Sequence, residues 1–254
     1  MTERKRPTYS IIIPAYNEGQ RLEATLAKVT AYAAEIGWSA EIIVVNDGSR
    51  DSTAAIARGW AQQNCQVRLL DNPGNRGKGY SVRHGMMEAT GGVLLFTDAD
   101  LSSPIAEAQK LIEAIKQGAD IAIGSRWLRS ELQTERQPVY RQLFGRVFNL
   151  MLRTLLGLRF KDTQCGLKAF TANAARIVFT RQRIERWGFD PEILYLANKF
   201  GLKTAEVPVE WAHDERSKIN PLVDGLRMLA EMIRVRWYQL TGKYGQPAAG
   251  QETQ

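Results

Sequence analysis

Short apolar runs rich in β-branched residues alternate with amphipathic stretches through the first half of the chain. Five of these runs are predicted to be strands: Ser10–Pro14, Glu41–Asn46, Val67–Leu70, Val93–Thr97 and Ile121–Ile123. Four intervening stretches are predicted to be helices: Gly19–Ile36, Ser52–Gln63, Gly79–Ala89 and Pro104–Gln117, the last capped by Ser103. Uninterrupted apolar runs suit strands that are covered on both faces. The alternation predicts an α/β fold with a doubly wound, mainly parallel sheet that binds ligands at the carboxyl ends of its strands.

The pattern changes after Arg126. Two long, basic, amphipathic helices are predicted at Arg141–Leu158 and Pro221–Leu240, with a helix near Pro191–Phe200 and a strand at Thr204–Val209 between them. We expect a single domain over residues 8–242. Residues 243–254 are rich in Gly, Pro and Gln, and we expect them to form a flexible tail.

Charge is distributed unevenly along the 254 residues. Residues 1–125 carry 13 Lys and Arg against 14 Asp and Glu, whereas residues 126–243 carry 21 against 12. A basic second half favours an anionic partner, and nucleic acid, phospholipid headgroups and phosphorylated substrates all qualify; the alternative is a generally basic surface. Cys65 and Cys165 form neither a disulfide framework nor a metal-binding pattern, which favours a reducing compartment.

Membrane contact is expected to be peripheral. The sequence contains no signal peptide and no apolar run of about 18 residues, the length needed to span a bilayer. We expect a cytoplasmic protein whose two basic helices lie on an anionic membrane surface, with their apolar sides in the interface. The alternative is that both apolar stripes pack on the sheet.

Polar residues follow the predicted strands, where this architecture binds ligands. The first strand ends in Pro14-Ala15-Tyr16-Asn17-Glu18, and the second ends in Asn46-Asp47-Gly48-Ser49. A carboxylate in such a place can accept hydrogen bonds from a base or a ribose, although each segment alone is also a common turn.

The segment Asn72–Gly79 (NPGNRGKG) leads into the third helix. Its glycines, the N–H groups at the helix start and the cations of Arg76 and Lys78 suit a diphosphate, with a solvated surface turn as the alternative. The segment is neither a Walker P-loop nor a GxGxxG fingerprint, which disfavours an ATPase or a dehydrogenase.

The fourth strand runs into Asp98-Ala99-Asp100. Residues i and i+2 of an extended segment face the same way, so both carboxylates are predicted to point into one space. Two hard oxygen donors suit Mg²⁺ or Mn²⁺, with a nucleotide diphosphate completing the coordination. The pair also argues against a nucleic-acid partner, because without a metal it would repel phosphates.

Two further segments offer chemistry in the second half. Arg126 follows the fifth strand, and Asp190 and Glu192 lie at the start of a predicted helix. Asp190 and Glu192 are candidates for a catalytic base or for a group that orients the metal ligands. The alternative is that they are negative charges that stabilise the helix N-terminus.

With these motifs the chain resembles family 2 glycosyltransferases, and within them the dolichyl-phosphate β-glucosyltransferases, over about Tyr9 to Gly242. Features similar to the broader family are IIIPAYNE (Ile11–Glu18), VVNDGSRDST (Val44–Thr53), NRGKG (Asn75–Gly79) and DAD (Asp98–Asp100). Features more specific to the glucosyl group are KDTQCGLKAF (Lys161–Phe170), ERWGFDPEILYLA (Glu185–Ala197) and YQLTG (Tyr238–Gly242). The related mannosyltransferases match this second half less well.

The resemblance implies a GT-A fold and a metal-dependent, inverting transfer of a hexose, here glucose from UDP-glucose, to dolichyl or polyprenyl phosphate. It implies that the nucleotide sugar is bound by Pro14, Tyr16, Glu18, Asp47, Lys78 and Asp98. Arg76 is added to this set because its positive charge suits the diphosphate. It further implies acceptor-phosphate binding by Arg126 and Arg141, a metal at Asp98 and Asp100, and catalysis that involves Asp100 and Arg126. This sequence is expected to differ from the eukaryotic members, which carry an N-terminal membrane anchor.

Three alternatives stay open at this point. They are a GDP-mannose-dependent polyprenyl-phosphate mannosyltransferase, a family 2 enzyme with a soluble polysaccharide acceptor, and a module that binds nucleotide sugars without catalysis. A phosphate nucleophile is already ionised near neutral pH, so lipid-phosphate transfer needs no strong base. Asp190 is therefore expected to orient the acceptor or the metal rather than to remove a proton.

Overall fold

A computed structural model describes residues 6–129, 131, 150–212 and 221–245. The strands are β1 Tyr9–Ala15, β2 Ala40–Asn46, β3 Val67–Asp71, β4 Val93–Phe96, β5 Ile121–Ser125, β6 Lys168–Thr171 and β7 Thr204–Pro208. The helices are α1 Leu22–Glu35, α2 Thr53–Gln63, α3 Lys78–Glu88, α4 Ala108–Lys116, α5 over residues 150–156, α6 Ala172–Phe179, α7 Phe189–Lys199 and α8 Pro221–Leu240. Every strand and helix predicted in the first half is present, with its ends shifted by a few residues.

The seven strands form one sheet in the order β3-β2-β1-β4-β6-β5-β7. β1 runs parallel to β2 and β4, β2 runs parallel to β3, and β5 runs parallel to β7. β6 runs antiparallel to both of its neighbours, β4 and β5. The last residues of six strands therefore lie along one edge, here called the carboxyl edge: Ala15, Asn46, Asp71, Phe96, Ser125 and Pro208.

Both faces of the sheet are covered, which confirms the predicted doubly wound α/β class. Ile12 of β1 packs into one buried cluster with side chains of α3, α6, α7 and α8. Its neighbours Ile11 and Ile13 point the other way, into a second cluster with α1 and α4. The period-two alternation of a strand thus gives each face its own apolar core, and the polar chemistry is left to the edges.

Two details differ from the sequence-based expectations. The antiparallel strand β6 and the helix α6 were not predicted, because KAFT is only four residues long and opens on a charged lysine. Ser103 does not cap α4: Pro104 has an extended ψ of 144°, and a 3₁₀ turn over Ile105–Glu107 precedes the helix. The Ser103 hydroxyl lies instead 4.0 Å from the Cys165 sulfur.

In the second half, α8 has the predicted bounds. Of the helix predicted at Arg141–Leu158, residues 150–156 are helical, and residues 132–149 lie outside the described part of the chain. Tyr244, which falls in the predicted tail, is 2% exposed and packs against Tyr195 and Tyr238. The folded part of the chain therefore extends past residue 242. In the described residues, no helix is long and apolar enough to cross a membrane.

Candidate active site

The loops that follow β1 and β2 are fastened together at the carboxyl edge. Three hydrogen bonds join them: Asn17 N to Ser49 Oγ (3.0 Å), Glu18 N to Thr53 Oγ1 (2.8 Å) and Gly19 N to Asp51 Oδ2 (2.9 Å). Pro14 lies within β1 beside Val45 of β2, and Tyr16 stands just beyond the strand with 43% of its surface exposed. The exposed Tyr16 ring is available to stack on a base at this rim.

Asp47 is buried, and its carboxylate holds the glycine-rich segment in place. One oxygen accepts hydrogen bonds from Asn72 Nδ2 (2.8 Å) and Arg76 N (2.9 Å), and the other accepts one from Gly77 N (2.8 Å). A buried carboxylate needs such donors to offset its lost hydration. The amides of residues 76 and 77 are therefore engaged within the protein, and diphosphate binding by the N–H groups at the start of α3 stays a prediction.

The two cations of the glycine-rich segment point to different places. Arg76 forms an ion pair with Glu185 (2.7 Å), in the loop before α7, and its guanidinium lies 4.7 Å from the Tyr80 ring. Lys78, at the start of α3, places its ammonium 2.5 Å from Asp98 Oδ1 and 5.3 Å from the ring of Trp187. Although burial opposes the charged form, Asp98 and Asp190 keep the pKa of Lys78 above its ordinary value. Lys78 thus brings a fixed positive charge to the end of β4.

Asp98 and Asp100 follow β4 and are close enough to affect each other. Asp100 accepts a hydrogen bond from Ser102 N (2.9 Å), and its other oxygen lies 3.8 Å from a guanidinium nitrogen of Arg21. Arg21 also pairs with Glu18 (2.5 Å), which links the first loop to the carboxylate pair. Burial and the neighbouring charge of Asp98 raise the pKa of Asp100. The site therefore carries negative charge that a cation would stabilise.

The donor set at this edge fits a divalent cation that shares its coordination with a substrate. Among the described residues there is no group of three or more His, Cys, Asp or Glu side chains arranged to hold a metal. Magnesium is commonly held by one or two carboxylates together with substrate phosphates. Lys78 lies 2.5 Å from one oxygen of Asp98, whereas the second oxygen of Asp100 has its cation, Arg21, at 3.8 Å, so Asp100 is the better placed candidate ligand.

Arg126 follows β5 and lies beside Trp211, whose ring lines a small cleft that Asp98 also lines. Two side-chain hydrogen bonds (2.7 and 2.9 Å) bind its guanidinium to Asp162, and the ring of Trp211 lies 5.5 Å away. Although burial opposes ionisation of both groups, their pairing raises the pKa of Arg126 and lowers that of Asp162. The cleft is lined by Thr97, Asp98, Ser102, Ser103, Gly166 and Trp211. Arg141 lies outside the described residues.

Asp190 lies in the first turn of α7, and its side chain is only 5% exposed. Its carboxylate is 2.5 Å from the ammonium of Lys168, a residue to which the sequence reasoning assigned no role. Burial raises the pKa of Asp190, whereas Lys168 and Lys78 oppose that rise. The structure thus brings Asp190 into electrostatic contact with Lys78, and its role as base or orienting group stays a prediction.

Glu192, in the same first turn of α7, is fully buried and joins segments that are distant in the sequence. It accepts hydrogen bonds from Arg183 N (2.9 Å), Ile184 N (2.8 Å) and the hydroxyl of Tyr244 (2.6 Å). Burial raises its pKa to about 7, despite these donors. The residue is therefore a structural joint between the C-terminal segment and the loop that contacts the glycine-rich segment.

We expect the Glu192→Gln variant to lose part of the pH dependence of stability. The folded-state pKa of about 7 lies above the ordinary value of 4.5, so the folded state binds this proton more tightly. The stabilisation is present below pH 4.5 and is lost as the pH rises through 7, with an amplitude of about 3 kcal/mol. Urea unfolding of both proteins across this range measures it. The exposed control Glu113→Gln should follow the wild type, and parallel curves for Glu192→Gln and wild type would refute the assignment.

Fold and site together define a doubly wound α/β protein with an acidic pair and a lysine at its carboxyl edge, where such sheets bind ligands. Residues 10–179 match the model of the family described as Glycosyl transferase family 2, and the chain belongs to this family. It is 37% identical to the dolichyl-phosphate beta-glucosyltransferase of Drosophila melanogaster and 32% identical to that of Homo sapiens. Each alignment covers 92% of this chain and 76% of the relative. The family assignment made from the motifs is confirmed.

Solved structures show the same fold at low sequence identity. The UDP complex of glucosyl-3-phosphoglycerate synthase from Mycobacterium tuberculosis superposes with a TM-score of 0.65 and 20% identity, covering 96% of this chain and 82% of that one. A complex of the same enzyme with Mn²⁺, UDP and phosphoglyceric acid gives a TM-score of 0.62 at 19% identity, with coverages of 96% and 81%. These likenesses confirm the GT-A fold.

Proposed function

We propose that this protein transfers glucose from UDP-glucose, with inversion at the anomeric carbon, to the phosphate of dolichol or another polyprenol. The main support is that proteins named dolichyl-phosphate beta-glucosyltransferase align with 92% of the chain at up to 37% identity. The aligned region includes both the carboxylate pair and the buried loops around it. Transfer of mannose from GDP-mannose is the alternative that the donor assay below tests.

The chemistry follows from the charges at the carboxyl edge. An oxygen of the acceptor phosphate attacks the anomeric carbon and forms a C–O bond, while the bond to the nucleoside diphosphate breaks and its electron pair leaves with that diphosphate. Lys78, held beside Asp98, is placed to stabilise the charge on the leaving group. Asp100, with Asp98, would hold Mg²⁺ or Mn²⁺, which supplies further positive charge at the diphosphate.

The acceptor side is proposed to lie across the cleft, where Arg126 meets Trp211. The bidentate contact with Asp162 fixes the plane of the Arg126 guanidinium, and a fixed guanidinium recognises phosphate geometry well. Because a lipid phosphate is ionised at neutral pH, no side chain has to remove its proton. Asp190, which Lys168 holds, is accordingly proposed to orient the reactants rather than to act as a base.

One side of α8 supports peripheral membrane contact, which we place on the cytoplasmic face. Ile233, Trp237 and Leu240 recur along one side of the helix and are 59%, 50% and 85% exposed. Met232 and Val235, on the opposite side, are buried in the core, so the exposed residues do not pack on the sheet. An exposed apolar stripe with arginines and a lysine nearby suits the interface of an anionic bilayer.

The Trp237→Glu variant should bind anionic vesicles at least about tenfold more weakly, because it removes apolar area and adds repulsion. Co-sedimentation with vesicles of phosphatidylcholine and phosphatidylserine at low salt measures this. Met87→Glu, at another half-exposed apolar residue, on α3, is the control and should bind as the wild type does. Equal binding of the wild type to neutral and anionic vesicles would remove the basis of the membrane proposal.

A donor panel tests the function directly. Purified protein is given dolichyl phosphate in detergent, Mn²⁺, and either UDP-glucose, GDP-mannose or UDP-N-acetylglucosamine, each labelled in the sugar. We expect label to enter the organic phase from UDP-glucose and to depend on the metal. Label from GDP-mannose would select the mannosyl alternative. Binding of the nucleotide without release of the diphosphate would indicate a module that does not catalyse.

A further inference from the structure

Lys168 is a buried lysine whose position is unusual for its residue type. It is the first residue of β6, and its side chain is fully buried. Because β6 runs antiparallel to β4 and β5, its first residue lies at the carboxyl edge, in register with Phe96 and Ile123. Burying an ammonium group is costly unless it is paired and hydrogen-bonded, so its partners indicate its role.

The ammonium of Lys168 joins two separate segments of the chain. It donates to Asp190 Oδ1 (2.5 Å), at the start of α7, and to the carbonyl oxygen of Cys165 (2.6 Å). Cys165 belongs to the segment Asp162–Gly166, which lies between α5 and β6. The ring of Phe96 lies 5.5 Å away and closes the site on the core side.

Both segments bear directly on the proposed reaction. Asp162, at one end of the first segment, holds the guanidinium of Arg126. Gly166, at the other end, packs directly against the carboxylate of Asp98. Asp190 acts electrostatically on Lys78. The hydrogen bonds of Lys168 therefore lie between the acceptor side and the donor side of the cleft.

We infer that Lys168 is a positioning residue for the transfer reaction, which holds Asp190 as an oriented carboxylate and anchors the segment Asp162–Gly166 beside it. The kinetic effects expected of this role depend on the proposed function. The ion pair that favours the charged form of Asp190 can be measured without turnover.

The charges around Asp190 set the expected direction of the effect. Lys168 on β6 and Lys78 on α3 favour its ionised form, whereas Asp98 after β4 disfavours it. Arg126 after β5 also interacts electrostatically with Asp190. Burial raises its pKa, and Lys168 is the largest opposing influence. Removing the ammonium should raise the pKa of Asp190 further, because the opposite charge 2.5 Å away is lost.

The Lys168→Met variant, which keeps most of the side-chain volume, should move the acidic limb of the pH profile of kcat upward by about one to three units. The control Lys110→Met removes a different lysine–carboxylate ion pair, with Glu107, which does not involve Asp190, and should leave the profile unchanged. A lowered Tm with an unmoved acidic limb would overturn the inference, because it would show a merely structural role.

A double variant covers the case in which Lys168→Met folds poorly. Lys168→Met/Asp190→Asn removes both charges of the pair and should lose clearly less activity than the product of the two single losses, because the lysine acts in part through the aspartate. Independent, multiplicative losses would overturn the inference. The carboxyl ¹³C resonance of Asp190, assigned with Asp190→Asn, reports its titration in the wild type and Lys168→Met. This readout stands even if no sugar is transferred, and an unchanged titration would refute the ion-pair role.

Discussion

Replacing Asp100 with asparagine is expected to lower kcat by roughly 1000-fold or more while the protein stays folded. The substitution keeps an oxygen that accepts from Ser102 N, so the turn after β4 is preserved. It removes the negative charge that is available to a divalent cation, an interaction worth about 4 kcal/mol at such sites. Because burial and Asp98 disfavour the ionised form of Asp100, its loss should leave Tm unchanged or slightly raised. Steady-state kinetics measures the loss of kcat, and thermal unfolding measures the Tm.

Asp120→Asn is the matched control. Asp120 precedes β5, at the opposite edge of the sheet, where it accepts a hydrogen bond from Lys203 N that asparagine can also accept. Its activity and metal response should equal those of the wild type. Near-normal turnover by Asp100→Asn at saturating metal would contradict the proposed role of the carboxylate pair.

Replacing Gly166 with alanine is expected to cost at least about 100-fold in kcat/KM for the nucleotide sugar. An added Cβ would lie 2.6 Å from Asp98 Cγ and overlap one of its oxygens. The carboxylate must then turn away, which also disturbs the charge of Lys78 that it holds. Displacing catalytic groups by about 1 Å typically costs this much. Initial rates over a range of UDP-glucose concentrations give the value.

Gly92→Ala is the control for the general cost of an added methyl group. Gly92 precedes β4, at the other end of the strand, and a Cβ there meets only the carbonyl oxygen of Thr8 at 3.6 Å, an ordinary contact. This variant should keep its activity. Equal activity of Gly166→Ala and Gly92→Ala would mean that the close approach of Gly166 to Asp98 does not affect catalysis.

The sequence was most informative where local pattern and topology act together. The apolar runs predicted the parallel strands, and parallel strands end at a common edge, so the proximity of Tyr16, Asp47 and Asp98 could be expected before any coordinates. The carboxylates of Asp98 and Asp100 do interact, as predicted, but their segment is a turn closed by a hydrogen bond from Leu101 N to Asp98 O (3.1 Å), and not the extended backbone on which that prediction relied. The inference from the parallel strands needs only backbone geometry.

Contacts across long sequence separations were not predictable in the same way. The strand β6 inserts between β4 and β5, and its four residues carry too short a pattern to be detected. Its register is what brings Lys168 to Asp190 and Gly166 to Asp98. The hydrogen bonds of Asp47 with the backbone of Arg76 and Gly77 were equally invisible in the sequence, and its role in nucleotide binding stays a prediction. A lysine in an otherwise apolar LKAF run was the one available signal for Lys168.

The most direct test of the account is the identity of the product formed from UDP-glucose and a polyprenyl phosphate. We predict a polyprenyl phosphate that is heavier by one hexose residue, with a β-anomeric linkage by NMR, and one UDP released for each molecule formed. The Asp100→Asn variant should form none of it under the same conditions. Release of UDP with free glucose as the sole sugar product, or a hexose found on any group other than the lipid phosphate, would contradict the account.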